Sequence, residues 1–151
     1  MNQTVIGHIG KALPLSFLPS FQTTTDVYSA FSGRVKFVES CFNDPKSVPS
    51  TILTGLLGSS ILTTPKDIEL IFGRSQQPDG LWAAGQAGLP LYILYGTEDK
   101  HMTGERLIEH VQPYFTNLEH RKVEGGSHTL FYEHQDIFVE SILKFATRVQ
   151  K

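Results

Sequence analysis

The chain is 151 residues long, 40% hydrophobic and 19% charged, with a formal net charge of -2, which suits one soluble globular domain with a real core. That balance leaves no electrostatic footprint for nucleic acid or an anionic membrane surface, and no run approaches the roughly eighteen apolar residues of a membrane span. The single cysteine, Cys41, precludes an internal disulfide, and with no signal-peptide pattern at the N-terminus the expected location is cytoplasmic.

In chain order, residues 4–21 set Gly7, Gly10, Pro14 and Pro19 among apolar residues and read as a looping entry segment. From Asp26 the apolar positions Val27, Phe31, Val35, Val38 and Phe42 recur at helical spacing. They predict one face of an amphipathic helix, with Thr25 as its cap and Asn43-Asp44-Pro45 as its stop. Ser47 and Pro49 open a second helix that runs through Leu57 and ends at Gly58. Thr64-Pro65-Lys66-Asp67 combines a cap, a helix-start proline and an early acid, so a third helix follows to about Gly73. Asp79 to Gly85 adds one further turn.

After Gly88 the texture changes. Leu89 to Tyr95 is a short apolar run, as expected of a strand buried on both faces. Residues 104–115 read as a helix with Leu107, Ile108, Val111 and Phe115 on one side. Leu118 to Val123 is a wetter strand, carrying Glu119, His120, Arg121 and Lys122. A last helix runs from Gln135 to Val149, with Phe138, Ile142, Phe145 and Val149 toward the core. Strand, helix, strand, helix implies parallel strands joined by right-handed crossovers. Two strands leave a sheet edge uncovered, so a dimer contact or a partner chain is expected there. The expected division is 1–87, a helical cap or lid region, and 88–151, a strand–helix–strand–helix core.

Functional groups in an open α/β sheet gather past the carboxyl ends of the strands. Asp99 lies just past the first strand and His128 just past the second, behind Gly125-Gly126-Ser127. An acid there can hold the imidazole tautomer while His128 acts as general base. Each alone also has a plain structural use, Asp99 as a helix cap and His128 as a loop residue. Phe131 and Tyr132 stand ready to wall an apolar pocket. A metal site is not expected: there is no H-E-x-x-H and no Cys/His zinc spacing. His101, His110 and His134 read as solvated surface residues, His101 at most at the rim of the cleft. Gly85, Gly88, Gly96 and Gly104 form no phosphate-cradling motif, so no cofactor is expected.

On these residues the segment from Gly88 to Lys151 resembles the C-terminal part of an α/β-hydrolase-fold enzyme. The matching pieces are Leu89-Pro90-Leu91-Tyr92-Ile93-Leu94-Tyr95, Gly96-Thr97-Glu98-Asp99, Gly125-Gly126-Ser127-His128 and a closing helix. Residues from about Pro14 to Gly85 resemble that fold's inserted helical cap, and the texture is similar to a fungal esterase, epoxide-hydrolase and dehalogenase-like group. The resemblance implies a partial α/β-hydrolase fold, with the cap followed by the last two parallel strands and their helices. It implies Asp99 as triad acid and His128 as base. It also implies a small apolar substrate, an ester or a related carbon–heteroatom compound, shaped to Phe17, Phe21, Phe31, Trp82 and Phe131.

One departure is large. In that family the nucleophile precedes the acid, in a G-x-S-x-G elbow, and no serine of this chain sits in that frame. Gly58-Ser59-Ser60-Ile61-Leu62 lacks the final glycine, and no Asp or Cys occupies an elbow. Loss of a triad nucleophile costs on the order of 10⁶ in kcat. The chain is therefore expected to be truncated and inactive alone. The alternative is a non-catalytic short product that binds an apolar ligand or a protein partner.

Overall fold

The computed structural model describes residues 10–73 and 77–149; the entry segment ahead of Gly10 lies outside the described residues. Two compact units divide the chain after Gln76.

The described part of the first unit is helical: α1 (Ala12–Ser16), α2 (Leu18–Gln22), α3 (Val27–Ser40), α4 (Ser50–Leu62) and α5 (Pro65–Gly73). The α3 cap is Asp26 rather than Thr25, because the Asp26 carboxylate accepts the Ser29 backbone N–H at 2.9 Å and the Ser29 hydroxyl at 2.6 Å. The predicted apolar stripe is only half buried. Val38 and Phe42 are 6% and 1% exposed, but Val27 and Phe31 are 79% and 51% exposed. The packed face of α3 runs instead through Gly33 and Arg34. A Cβ on Gly33 would lie 2.2 Å from Ser20 Cβ, so α2 rests against the α3 backbone there. Buried Arg34 donates from Nε to the Ser60 carbonyl at 3.1 Å and from Nη2 to the Thr63 carbonyl at 2.9 Å. The Ser60 carbonyl also accepts the Thr63 N–H at 3.3 Å, and the guanidinium adds a second donor at this helix end, so one side chain ties two helices together.

This anchoring also explains why α4 runs through Gly58 to Leu62 rather than stopping. An interior glycine costs only about 1 kcal/mol, which packing and the Arg34 contacts outweigh. Thr64 and Asp67 cap α5 reciprocally, as expected: the Asp67 carboxylate accepts the Thr64 N–H at 2.8 Å, and Thr64 Oγ1 accepts the Asp67 N–H at 3.2 Å. Val38, Phe42 and Val48 form the core of the unit.

The second unit comprises α6 (Asp79–Gln86), β1 (Leu91–Gly96), α7 (Gly104–Val111), a single 3₁₀ turn (Gln112–Tyr114), β2 (Leu118–Val123), α8 (Leu130–Glu133) and α9 (Gln135–Val149). The division falls ahead of Gly88 because α6 is part of this core. Trp82 stacks on Tyr114 at 4.4 Å and meets Phe115 edge-on at 6.1 Å. The helix expected over 104–115 ends at Val111, since Pro113 has no N–H for a further α-helical turn.

The strands are parallel, in register from Leu91 opposite Leu118 to Gly96 opposite Val123. Ile93 packs with Ile108, Val111 and Phe115 under the sheet. Complete burial of β1 does not occur: only Ile93 and Gly96 are buried and the other four residues are half-buried. Among the described residues the sheet has two strands, so nothing pairs with the outer edge of β1. The packed face of α9 also differs from expectation. Ser141 is buried, receiving Arg121 Nη1 at 3.0 Å, and Phe145 stacks on Tyr92 at 5.3 Å. Ile142 and Val149 are left 42% and 46% exposed.

Candidate active site

Because Gly96 is level with Val123, both strands end together and their loops leave from the same edge. The loops are knitted at once. Thr97 N–H donates to the Val123 carbonyl at 3.1 Å and Glu98 N–H to the Gly126 carbonyl at 2.9 Å. The Gly125 N–H donates to Thr97 Oγ1 at 2.9 Å. Two glycines make this crossing feasible. A Cβ on Gly96 would lie 2.0 Å from the Gly126 carbonyl oxygen, closer than any side chain permits. Gly125 takes φ +73°, the left-handed region that glycine adopts without a Cβ penalty.

The crossing brings a carboxylate and an imidazole together. His128 Nδ1 lies 2.9 Å from Asp99 Oδ2. The other carboxylate oxygen, Oδ1, accepts the backbone N–H groups of His101 at 2.7 Å and Met102 at 3.0 Å. Burial pushes the Asp99 carboxyl upward. The hydrogen bond from His128, the two N–H donors and the attraction of the His128 charge outweigh it, and the acid is held below the usual carboxylate value. On the other side, Ser127 is 1% exposed and its Oγ accepts the Thr129 N–H at 3.1 Å. That bond forms the turn into α8, a short helix the sequence pattern did not reveal. The His128 side chain is 37% exposed against 12% for Asp99, so the imidazole is the more open of the two.

His101 is the largest revision. Expected at the surface, it is 4% exposed. Its ring lies almost parallel to that of His128, with centroids 4.6 Å apart and planes 19° apart. The spacing Asp-x-His held the clue: an Asx-type turn on Asp99 returns residue 101 toward the carboxylate.

Of the five aromatic candidates, Phe17, Phe21 and Phe31 belong to the first unit and Trp82 and Phe131 to the second. Phe17 and Phe21 both meet Phe37 edge-on, at 5.8 and 5.3 Å. Phe21, with Leu18, Phe37, Ile68 and Ile71, lines a groove of about 340 Å³ in the first unit. Trp82 is spent in the second core, while Phe131, on α8 three residues past His128, is 52% exposed. Among the described residues no group of three or more His, Cys, Asp or Glu side chains is placed to hold a metal ion. No helix of the described residues is long and apolar enough to cross a membrane.

A helical unit preceding parallel strands whose tips carry acid and histidine makes this a partial α/β-hydrolase fold. Solved structures share this fold. The esterase RhEst1 from Rhodococcus sp. ECU1013 superposes with a TM-score of 0.76 at 21% identity, over 93% of this chain and 49% of its own. A provisionally assigned aryl esterase from Burkholderia cenocepacia gives 0.80 at 17% identity, over 95% of this chain and 51% of its own. The chain thus spans about half the length of these structures, and identity this low carries the fold alone. No family model and no curated protein matches the sequence.

Proposed function

We propose that this chain supplies the acid and base of a hydrolase triad acting on a small apolar ester, with the nucleophile coming from polypeptide outside these 151 residues. One observation carries the reading: the 2.9 Å contact between Asp99 Oδ2 and His128 Nδ1, with Oδ1 held by two backbone N–H groups. In that role Asp99 keeps the proton on Nδ1, leaving Nε2 to take a proton from a serine hydroxyl and later return it to the leaving alcohol. Asp99 stabilises the imidazolium formed in between. The esterase neighbours support the reaction class by likeness of fold. Phe131, three residues past His128 on α8, is proposed to contact the apolar part of the substrate, with Trp82 supporting the core of the same unit. The segment bringing the nucleophile is proposed to cover the outer edge of β1, which has no strand partner among the described residues.

The test begins with the 5′ end of the native transcript and with p-nitrophenyl ester hydrolysis. A longer reading frame encoding a G-x-S-x-G elbow should give an active esterase that His128→Ala inactivates. Near wild-type turnover by His128→Ala would sink the assignment. Turnover by the 151-residue chain itself, lost in His128→Ala, would place the nucleophile within these residues instead.

A further inference from the structure

A hydrogen bond from Nδ1 fixes one point of an imidazole. It leaves the ring free to turn about the Nδ1···Oδ2 line, and that turn sweeps Nε2 through an arc. General-base catalysis tolerates little of this, because the proton is collected along one direction at hydrogen-bond distance. Something besides Asp99 must set the plane of the His128 ring.

We infer that His101 is a positioning residue that fixes the plane of the His128 imidazole by stacking under it, so that Asp99 sets the tautomer and His101 sets the direction of Nε2. Three observations carry this. The rings are nearly parallel, 19° apart, at 4.6 Å between centroids, within the range of favourable offset stacking. His101 is 4% exposed, so its ring is itself held by surrounding packing and can act as a fixed surface. And its main chain is tied to the same acid: the His101 N–H donates to Asp99 Oδ1 at 2.7 Å. One residue therefore touches both members of the pair, the acid through its backbone and the base through its ring. Rotating His128 out of plane would cost the stack without relieving anything at Asp99.

The inference rests on the acid–base reading above, and the test separates the two. Imidazole ¹⁵N and ¹H resonances of the ¹⁵N-histidine-labelled chain are recorded at about pH 8, where ordinary histidines are neutral, with His128→Gln to assign residue 128. The wild type should show His128 as one tautomer, protonated on Nδ1, with that proton in slow exchange. His101→Phe, which keeps a planar face and the backbone N–H, should retain both features. His101→Leu, which fills space without a face, should exchange the Nδ1 proton roughly three- to tenfold faster, the span an aromatic stack contributes, and its tautomers should mix. His101→Leu folded and indistinguishable from wild type overturns the inference while leaving the pair intact, as does His101→Phe folded yet unlocked. A wild-type His128 with no preferred tautomer overturns the pair and the inference together.

Discussion

Gly96→Ala is the sharpest test of how the strand tips are assembled. Its Cβ would lie 2.0 Å from the Gly126 carbonyl oxygen, 2.3 Å from the carbonyl carbon and 2.8 Å from Cα. All three are backbone atoms, so no rotamer change relieves the contact; the 125–128 loop must move as a body. Overpacking of this kind costs about 1–3 kcal/mol. The displacement also strains the Glu98 N–H to Gly126 carbonyl bond at 2.9 Å and the Gly125 N–H to Thr97 Oγ1 bond at 2.9 Å, each worth about 1 kcal/mol. The expected loss is about 3–5 kcal/mol, a large fraction of a typical domain's stability. Equilibrium urea denaturation reads it directly: at about 1–3 kcal/mol/M the midpoint should fall by more than 1 M. The contrast is Gly88→Ala, where the φ of +98° is strained for alanine but no atom lies within 4 Å of the new Cβ. It should cost only about 1–2 kcal/mol. A Gly96→Ala midpoint equal to that of Gly88→Ala would refute the close crossing of the two loops.

Three further outcomes follow from the same structure. In a catalytically competent form, Asp99→Asn should lower kcat by about 10⁴ with little change in KM, because the wrong His128 tautomer then predominates; a fall below tenfold in ester hydrolysis would remove Asp99 from the role. Asp99 should also mark the acid limb of stability. Its folded-state carboxyl lies below the ordinary value of 3.8, so its contribution is present above that value and is lost as pH falls through the folded one. Urea midpoints of wild type should therefore drop more steeply than those of Asp99→Asn below about pH 4, and parallel curves would contradict this. Arg34→Met should destabilise the first unit by about 1–3 kcal/mol, since the Thr63 carbonyl loses its guanidinium donor while the Ser60 carbonyl keeps the Thr63 N–H; unchanged denaturation would show that the α4 terminus is satisfied otherwise.

Elements whose signal is local were legible in the residues. The capping box at Thr64 and Asp67, the parallel order of β1 and β2, the limits of β2 and α9 and the nearness of Asp99 to His128 all follow from short-range chemistry or from strand order. Elements decided by long-range packing were misread. The α3 stripe from Val27 to Phe42 has good helical spacing, yet only its second half is buried, because Gly33 and Arg34 turn a different face to α2 and α4. Gly58 reads as a stop, but the tie from Arg34, twenty-six residues away in sequence, carries α4 past it. On α9 the bonds to Ser141 and the stack on Phe145 displaced Ile142 from the contact face.

What the sequence determined by itself is the order of the parts and which acid and which histidine follow the two strands. An apolar strand followed by an acid and a second strand followed by a histidine admit few arrangements once right-handed crossovers are required. Only the tertiary structure decided which groups complete the pair. His101 looked like one more polar side chain in a loop, and its burial against His128 depends on the Asp99 turn closing through two backbone N–H groups while the Gly96–Gly126 crossing brings the second loop within reach. A stack between side chains twenty-seven residues apart is produced by the meeting of two loops, and no periodicity or motif along either loop encodes that meeting.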